Sequence, residues 1–228
     1  MVYEINYNKL KIEKGYFIIM IAVIDYGVGN LFSLLSSLNY VGLDTKLTNN
    51  IEEIKNAKGI ILPGVGAFRD AIGNLEKYGL KETLISEVKK GKPFLGICLG
   101  MQMLFEKSYE YGEYEGLGLI DGTVEDIKKY ISENSDLKIP HMGWNSLAIN
   151  NGFKDDEILK DVDNNEYVYY VHSYFAKTDM KNIVAYSEYG IKIPGIVKNE
   201  NVYGMQFHPE KSGDTGLKLL KNWGELIK

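Results

Sequence analysis

No disulfide can form within this chain, because Cys98 is its only cysteine. That scarcity suits a reducing compartment such as the cytoplasm. A basic excess is missing too. Lys and Arg number 26 against 31 Asp and Glu, giving a net charge of −5 with no basic patch, which argues against nucleic acid as a partner. Long apolar runs are absent. The longest near the start, Tyr16 to Ile24, is too short to span a bilayer and closes on Asp25, so no membrane attachment is expected. It follows Lys9, Lys11 and Lys14 as a signal sequence would, yet no small-residue cleavage site comes after it, and Val23 to Gly27 reads better as a first strand and its turn. Internal repeats, low-complexity tracts and interdomain linkers are also lacking. What remains is 228 residues of ordinary globular composition, enough for one large α/β domain.

The first 19 residues carry no caps and no clear period, and Met20 directly precedes Ile21-Ala22-Val23-Ile24. The expected division is therefore an N-terminal extension over 1–19, upstream of a natural start at Met20, and a single domain over 20–228. The alternative is a short ordered arm.

Strand and helix patterns then alternate as in a mostly parallel central sheet with helices on both faces. Ile21 to Ile24 reads as a strand. Asn30 can cap a helix whose Leu31, Leu34, Leu35 and Leu38 share one face, with Gly42 ending it. Lys58 to Leu62 reads as a strand stopped by Pro63, and Leu80, Leu84 and Val88 space a helix ended by Gly91. The stretch from Tyr109 to Asn165 reads as loops and short strands. Tyr167 to Tyr174, Ile183 to Tyr186, Gly195 to Lys198 and Asn201 to Phe207 are further strands, and a last helix from about Asp214 carries Leu219, Leu220, Trp223, Leu226 and Ile227 on its apolar side. Gly27-Val28-Gly29 resembles the opening of a dinucleotide fingerprint, but Phe32 holds the third glycine position, so nucleotide binding is rejected there.

Chemistry concentrates at Gly96-Ile97-Cys98-Leu99-Gly100. A strand over 93–97 must turn at one residue into a helix expected from Leu99 to about Lys107, and the glycines relieve a crowded, strained corner. Such a nucleophile elbow exposes the sulfur at the strand tip. The helix N-terminus, with its partial positive charge, favours thiolate. A free cysteine often only packs, but rarely between two glycines at such a corner. A cysteine nucleophile needs a base and a group that orients it. Of the three histidines, His208 in Gln206-Phe207-His208-Pro209-Glu210 ends a strand; in an extended chain Glu210 projects to the same side and can orient the ring. Oxyanion donors are expected from the Leu99 N–H and from the Val65 N–H in Pro63-Gly64-Val65-Gly66.

Ile97-Cys98-Leu99-Gly100-Met101-Gln102 together with His208-Pro209-Glu210 resembles the class I glutamine amidotransferases, and the likeness covers about residues 20–228. Within the class, four segments (24–31, 62–68, Pro140-His141-Met142-Gly143-Trp144-Asn145 and Val171-His172-Ser173-Tyr174) are similar to the branch whose glutaminases serve histidine biosynthesis. The resemblance implies that Cys98 attacks the side-chain amide of L-glutamine, with His208 moving protons and Glu210 holding the ring. It implies that Gln102 and the backbone at Gly66, Ser173 and Tyr174 hold the amino-acid end. It implies no metal or cofactor, and a (β/α)8-barrel cyclase as the partner that receives ammonia. His141, Trp144, Asn145, Tyr169, His172 and Lys211 are its interface candidates. Gly64 and Gly66 would let the Val65 peptide rest with its carbonyl inward until the partner and its nucleotide select the active orientation. Two other readings stay open, an amidotransferase subunit of another pathway and a γ-glutamyl hydrolase or peptidase, while an intact Cys98, His208 and Glu210 argue against an idle binding module on the same fold.

Overall fold

In the computed structural model the described residues are 20–27, 31–132 and 135–227. The extension expected over 1–19 and the Asn30 cap lie outside them. In chain order the strands are β1 (Ile21–Ile24), β2 (Thr45–Thr48), β3 (Gly59–Gly64), β4 (Phe94–Cys98), β5 (Phe105–Ser108), β6 (Tyr114–Glu115), β7 (Ile120–Asp126), β8 (His141–Ile149), β9 (Glu166–His172), β10 (Tyr174–Lys177), β11 (Ile183–Glu188), β12 (Lys192–Asn199) and β13 (Val202–Met205). The helices are α1 (Leu31–Tyr40), α2 (Ile51–Asn56), α3 (Phe68–Lys77), α4 (Leu80–Lys89), α5 (Leu99–Gln102) and α6 (Gly213–Glu225).

Nine strands form the central sheet in the order β2-β1-β3-β4-β13-β12-β11-β8-β9. From β2 to β13 every pairing is parallel. From β13 to β9 every pairing is antiparallel. The parallel strands are buried on both faces and alternate between two cores. Ala22, Ile24, Ile60 and Leu62 join Ile54, Leu75, Leu80 and Leu84 of α2, α3 and α4. Ile21, Val23, Ile61, Leu95 and Ile97 join Leu34 and Leu38 of α1 and Leu219, Leu220 and Trp223 of α6. Each such side chain buried in full stabilises the fold by roughly 1.5–3 kcal/mol.

A second sheet, in the order β10-β7-β5-β6, was not expected from the sequence. It arises where two continuous patterns break. The helix expected to reach Lys107 stops at Gln102, because the carbonyls of Met103 and Leu104 accept from Leu117, Leu119 and Ile120 and draw the chain into β5. The strand expected over Tyr167 to Tyr174 splits at Ser173, so that β9 belongs to the central sheet and β10 to the small one. Pro63 does not stop its strand: β3 continues in parallel register to Gly64, opposite Cys98. The loop-rich middle contains β8, a nine-residue strand.

Candidate active site

The carboxyl ends of β3, β4 and β13, three adjacent parallel strands, bring the candidate residues together. In open α/β sheets ligands bind outside those ends. Cys98 closes β4 with φ 54° and ψ −110°, a backbone state rare for a residue with a side chain. The corner is possible because α5 lies directly on the sheet. A Cβ on Gly96 would stand 2.6 Å from the Gly100 carbonyl oxygen, and one on Gly100 would overlap the Leu62 carbonyl. Tyr26, buried beneath, donates its hydroxyl to the Pro63 carbonyl at 2.7 Å and ties β1 to the end of β3. Since α5 is a single turn, few peptide dipoles align behind the sulfur. Side chains rather than a long helix must supply most of its stabilisation.

His208 follows β13 and lines the same pocket as Cys98. Its Nδ1 lies 2.8 Å from Glu210 Oε1, leaving Nε2 for the sulfur. Glu210 does not reach the ring by strand alternation. Pro209–Lys211 is a 3-10 turn, closed by Lys211 N–H on the His208 carbonyl at 3.0 Å, and it swings the carboxylate back over the imidazole. Pro209 fits the first position of that turn because its φ is preset and it needs no donor. Burial alone would pull the His208 imidazolium down; the hydrogen bonds and charges of Cys98 and Glu210 outweigh it and push His208 up to about 10. The raised value favours the imidazolium, the form that can give a proton to a leaving group.

These groups border a pocket of about 310 Å³. Val65, Gly66, Leu99, Gln102, Ser173 and Tyr174 all line it, as expected from the sequence, beside Cys98 and His208. Val65 is exposed, next to Gly66 at φ 97° with open space around its Cα. Gly64 is different: a Cβ there would stand 2.6 Å from the Tyr26 hydroxyl and 3.0 Å from Leu99, so the position has no room for a side chain. Gln102 is buried, and its Nε2 donates to the Tyr174 carbonyl at 2.9 Å and to Gln206 Oε1 at 3.1 Å. Only its carbonyl oxygen is left for a ligand.

Sequence reasoning missed Glu110, Tyr111 and Gln206. Glu110 Oε2 accepts from the Phe68 N–H at 2.6 Å, capping α3 from across the pocket, and burial raises its pKa. Nothing in Tyr109-Glu110-Tyr111 marks that reach. Gln206 was findable, since it stands two residues before His208 and so on the same side of an extended segment.

The six residues expected at an interface divide. Trp144 is 55% exposed, with Tyr169 beside it at a ring separation of 6.1 Å and Lys211 Nζ 5.9 Å from the Tyr169 ring. His141 and His172 are instead buried beneath that face, paired across β8 and β9. Their tautomers follow from the one partner that can only accept. His172 Nδ1 donates to the Tyr174 carbonyl at 2.8 Å, so its Nε2 accepts from His141 Nδ1 at 3.0 Å, and His141 Nε2 accepts from Asn145 Nδ2 at 3.3 Å. A directed chain therefore runs from Asn145, on the His141 side of β8 and opposite Trp144, to the pocket wall. Among the described residues no group of His, Cys, Asp and Glu could hold a metal ion, and no helix is long and apolar enough to cross a membrane.

A strained cysteine near a buried His and Glu at the carboxyl edge of a parallel sheet is the arrangement that nucleophilic cysteine chemistry requires. The model of the family "Glutamine amidotransferase class-I" matches residues 22–225, and the chain belongs to that family. A chain of the solved PurLQS structure from Thermotoga maritima superposes with a TM-score of 0.70 at 19% identity, covering 92% of this chain and 99% of that one. A second crystal structure, of a glutamine amidotransferase, gives a TM-score of 0.67 at 19% identity, with 90% and 98% covered. At such identities the likeness is one of fold.

More similar in sequence is the imidazole glycerol phosphate synthase subunit HisH of Caldanaerobacter subterraneus, 54% identical over 92% of this chain and 99% of that protein. The HisH subunit of Listeria monocytogenes is 46% identical over 91% of this chain and 96% of its own length.

Proposed function

We propose that this chain is the glutaminase subunit of an imidazole glycerol phosphate synthase, working in the cytoplasm with a (β/α)8-barrel cyclase subunit. The observation that carries the reading is the grouping of Cys98 with the His208–Glu210 pair at one pocket, in a chain this similar to HisH subunits.

The steps follow from the geometry. L-Glutamine enters with its amino-acid end against Gly66, Ser173, Tyr174 and the free oxygen of Gln102. Attacking as the thiolate while His208 holds the proton, the Cys98 sulfur bonds to the side-chain amide carbon. The oxyanion that forms is met by the Leu99 and Val65 N–H groups. The C–N bond breaks as His208 gives its proton to the nitrogen, and ammonia leaves. Water, losing a proton to His208, attacks the thioester carbon; the C–S bond breaks and glutamate is released. Throughout, Glu210 keeps the ring in place.

Ammonia that escaped into water at neutral pH would be protonated and unreactive, so a partner must seal the exit. Exposed Trp144 and Lys211 with half-buried Tyr169 form a face next to the triad, and an exposed tryptophan is a natural anchor for such a partner, whereas Asn145 projects to the other side of β8 with His141. His141 and His172 lie under this face and transmit its position to the pocket wall. The Val65 peptide turns its N–H inward only when the partner and its nucleotide are bound.

The test is glutamate release by the purified chain with and without the barrel cyclase and its nucleotide, repeated with Cys98→Ala. Stimulation by the partner that vanishes in the variant is expected. Strong hydrolysis of γ-glutamyl peptides by the chain alone would identify a hydrolase instead.

A further inference from the structure

Gln206 is fully buried and its backbone N–H donates to the Gly195 carbonyl at 2.9 Å. The orientation of its side-chain amide follows from its neighbours. The Tyr174 carbonyl can only accept, so the end of Gln102 that lies 2.9 Å from it is Nε2. That same Nε2 is 3.1 Å from Gln206, which must present Oε1 to it. Both hydrogens of Gln102 Nε2 are then used. Gln206 Nε2 is left at the opposite end of its amide, 3.9 Å from the Cys98 sulfur.

We propose that Gln206 is a positioning residue whose amide N–H, aimed by Gln102, acts as a second donor to the anionic sulfur of Cys98 beside the His208 imidazole. The inference rests on the reading above only in taking Cys98 as the reactive sulfur. A thiolate accepts hydrogen bonds far better than a thiol or a thioester does. The Gln206 N–H therefore favours the thiolate before attack, and again as the sulfur leaves when water cleaves the thioester. Gln206 itself does not titrate. The titratable groups around the sulfur are His208 with Glu210 behind it, Tyr26 beneath, and His172 and Glu110 across the pocket. All of them stay in place when Gln206 alone is changed.

Because Cys98 is the only cysteine, its alkylation by iodoacetamide can be followed without ambiguity in the full chain, with no glutamine and no partner. The rate is measured from about pH 5 to 9. In Gln206→Met the midpoint of the profile is expected to rise by about half to one pH unit. In Gln206→Leu, which likewise lacks the donor and adds no charge, it rises by a similar amount. A midpoint unchanged in Gln206→Met, with a wild-type melting curve, overturns the proposal. Should Gln206→Met not fold, the uncharged Gln206→Leu decides in the same way. A shifted profile in a chain that no cyclase stimulates would refute the preceding functional reading and leave this one standing.

Discussion

His208 and the His141–His172 pair are the same chemical group, buried to a similar degree, and they are held in opposite charge states. Relative exposures are 5% for His208, 2% for His141 and 7% for His172. Burial disfavours the imidazolium in all three. At His208 a carboxylate 2.8 Å away and the Cys98 sulfur reverse the outcome, and the group rises to about 10. Around His141 there are Tyr170 and Tyr189 rings at 4.6 and 3.9 Å, and burial takes it down to about 4. His172 falls to about 3 through burial, reinforced by the charges His141 and His208 would carry beside it. One region favours a proton beside a cysteine; the other carries neutral hydrogen bonds from Asn145 to the Tyr174 carbonyl at the pocket. The presence of an acid, not the depth of burial, separates them.

Removing the sulfur breaks the comparison most severely. Cys98→Ala is expected to lower partner-stimulated glutaminase activity by at least ~10³-fold, with an unchanged melting temperature. Removing the acid is next. Glu210→Gln should cost roughly 10²–10⁴-fold in kcat, and the His208 ring should titrate well below its wild-type midpoint in an NMR pH series, toward the behaviour of the other two histidines. If His208 titrates unchanged in that variant, the carboxylate is not what holds the proton.

The exposed face comes third. Trp144→Ala should weaken cyclase binding by about 2 kcal/mol, roughly 30-fold in Kd by calorimetry, while moving the chain's own stability by no more than about 0.5 kcal/mol. Equal losses in binding and in stability would mean that Trp144 is a packing residue.

The smallest effect is on stability against pH, and its sign differs between the two regions. His141 and His172 bind protons more readily unfolded, at about 6.5, than folded, at about 4 and 3. Their contribution is present above pH 6.5 and is lost as pH falls toward 4 and 3. His208 is raised, so its contribution is present below 6.5 and lost as pH rises through about 10. Urea midpoints measured from pH 7 to 4 should fall, and should fall less in a His141→Gln, His172→Gln double variant.

Much of the site was legible before any coordinates. Glycines around Cys98 and the string His208-Pro209-Glu210 are local signals, because each constraint acts between residues adjacent in the chain. The route was misread where it depended on distant partners. Glu210 reaches His208 through a 3-10 turn rather than an extended strand. The helix after Cys98 ends at Gln102 because residues 117–120 claim the next carbonyls. His141 and His172 were expected on the surface, although alternation along β8 puts His141 and Trp144 on opposite sides and only the cross-strand register joins the two rings.

The sequence by itself determined the strained cysteine corner, the alternation that builds a buried parallel sheet, and the His-Glu couple, since all depend on backbone sterics and short-range spacing. Tertiary structure alone decided the charge states of the three histidines, the aim of the Gln102 and Gln206 amides, and the second sheet that closes the pocket. Each of these is set by which groups from remote segments are excluded from water together, and that is a property of packing rather than of any stretch of chain.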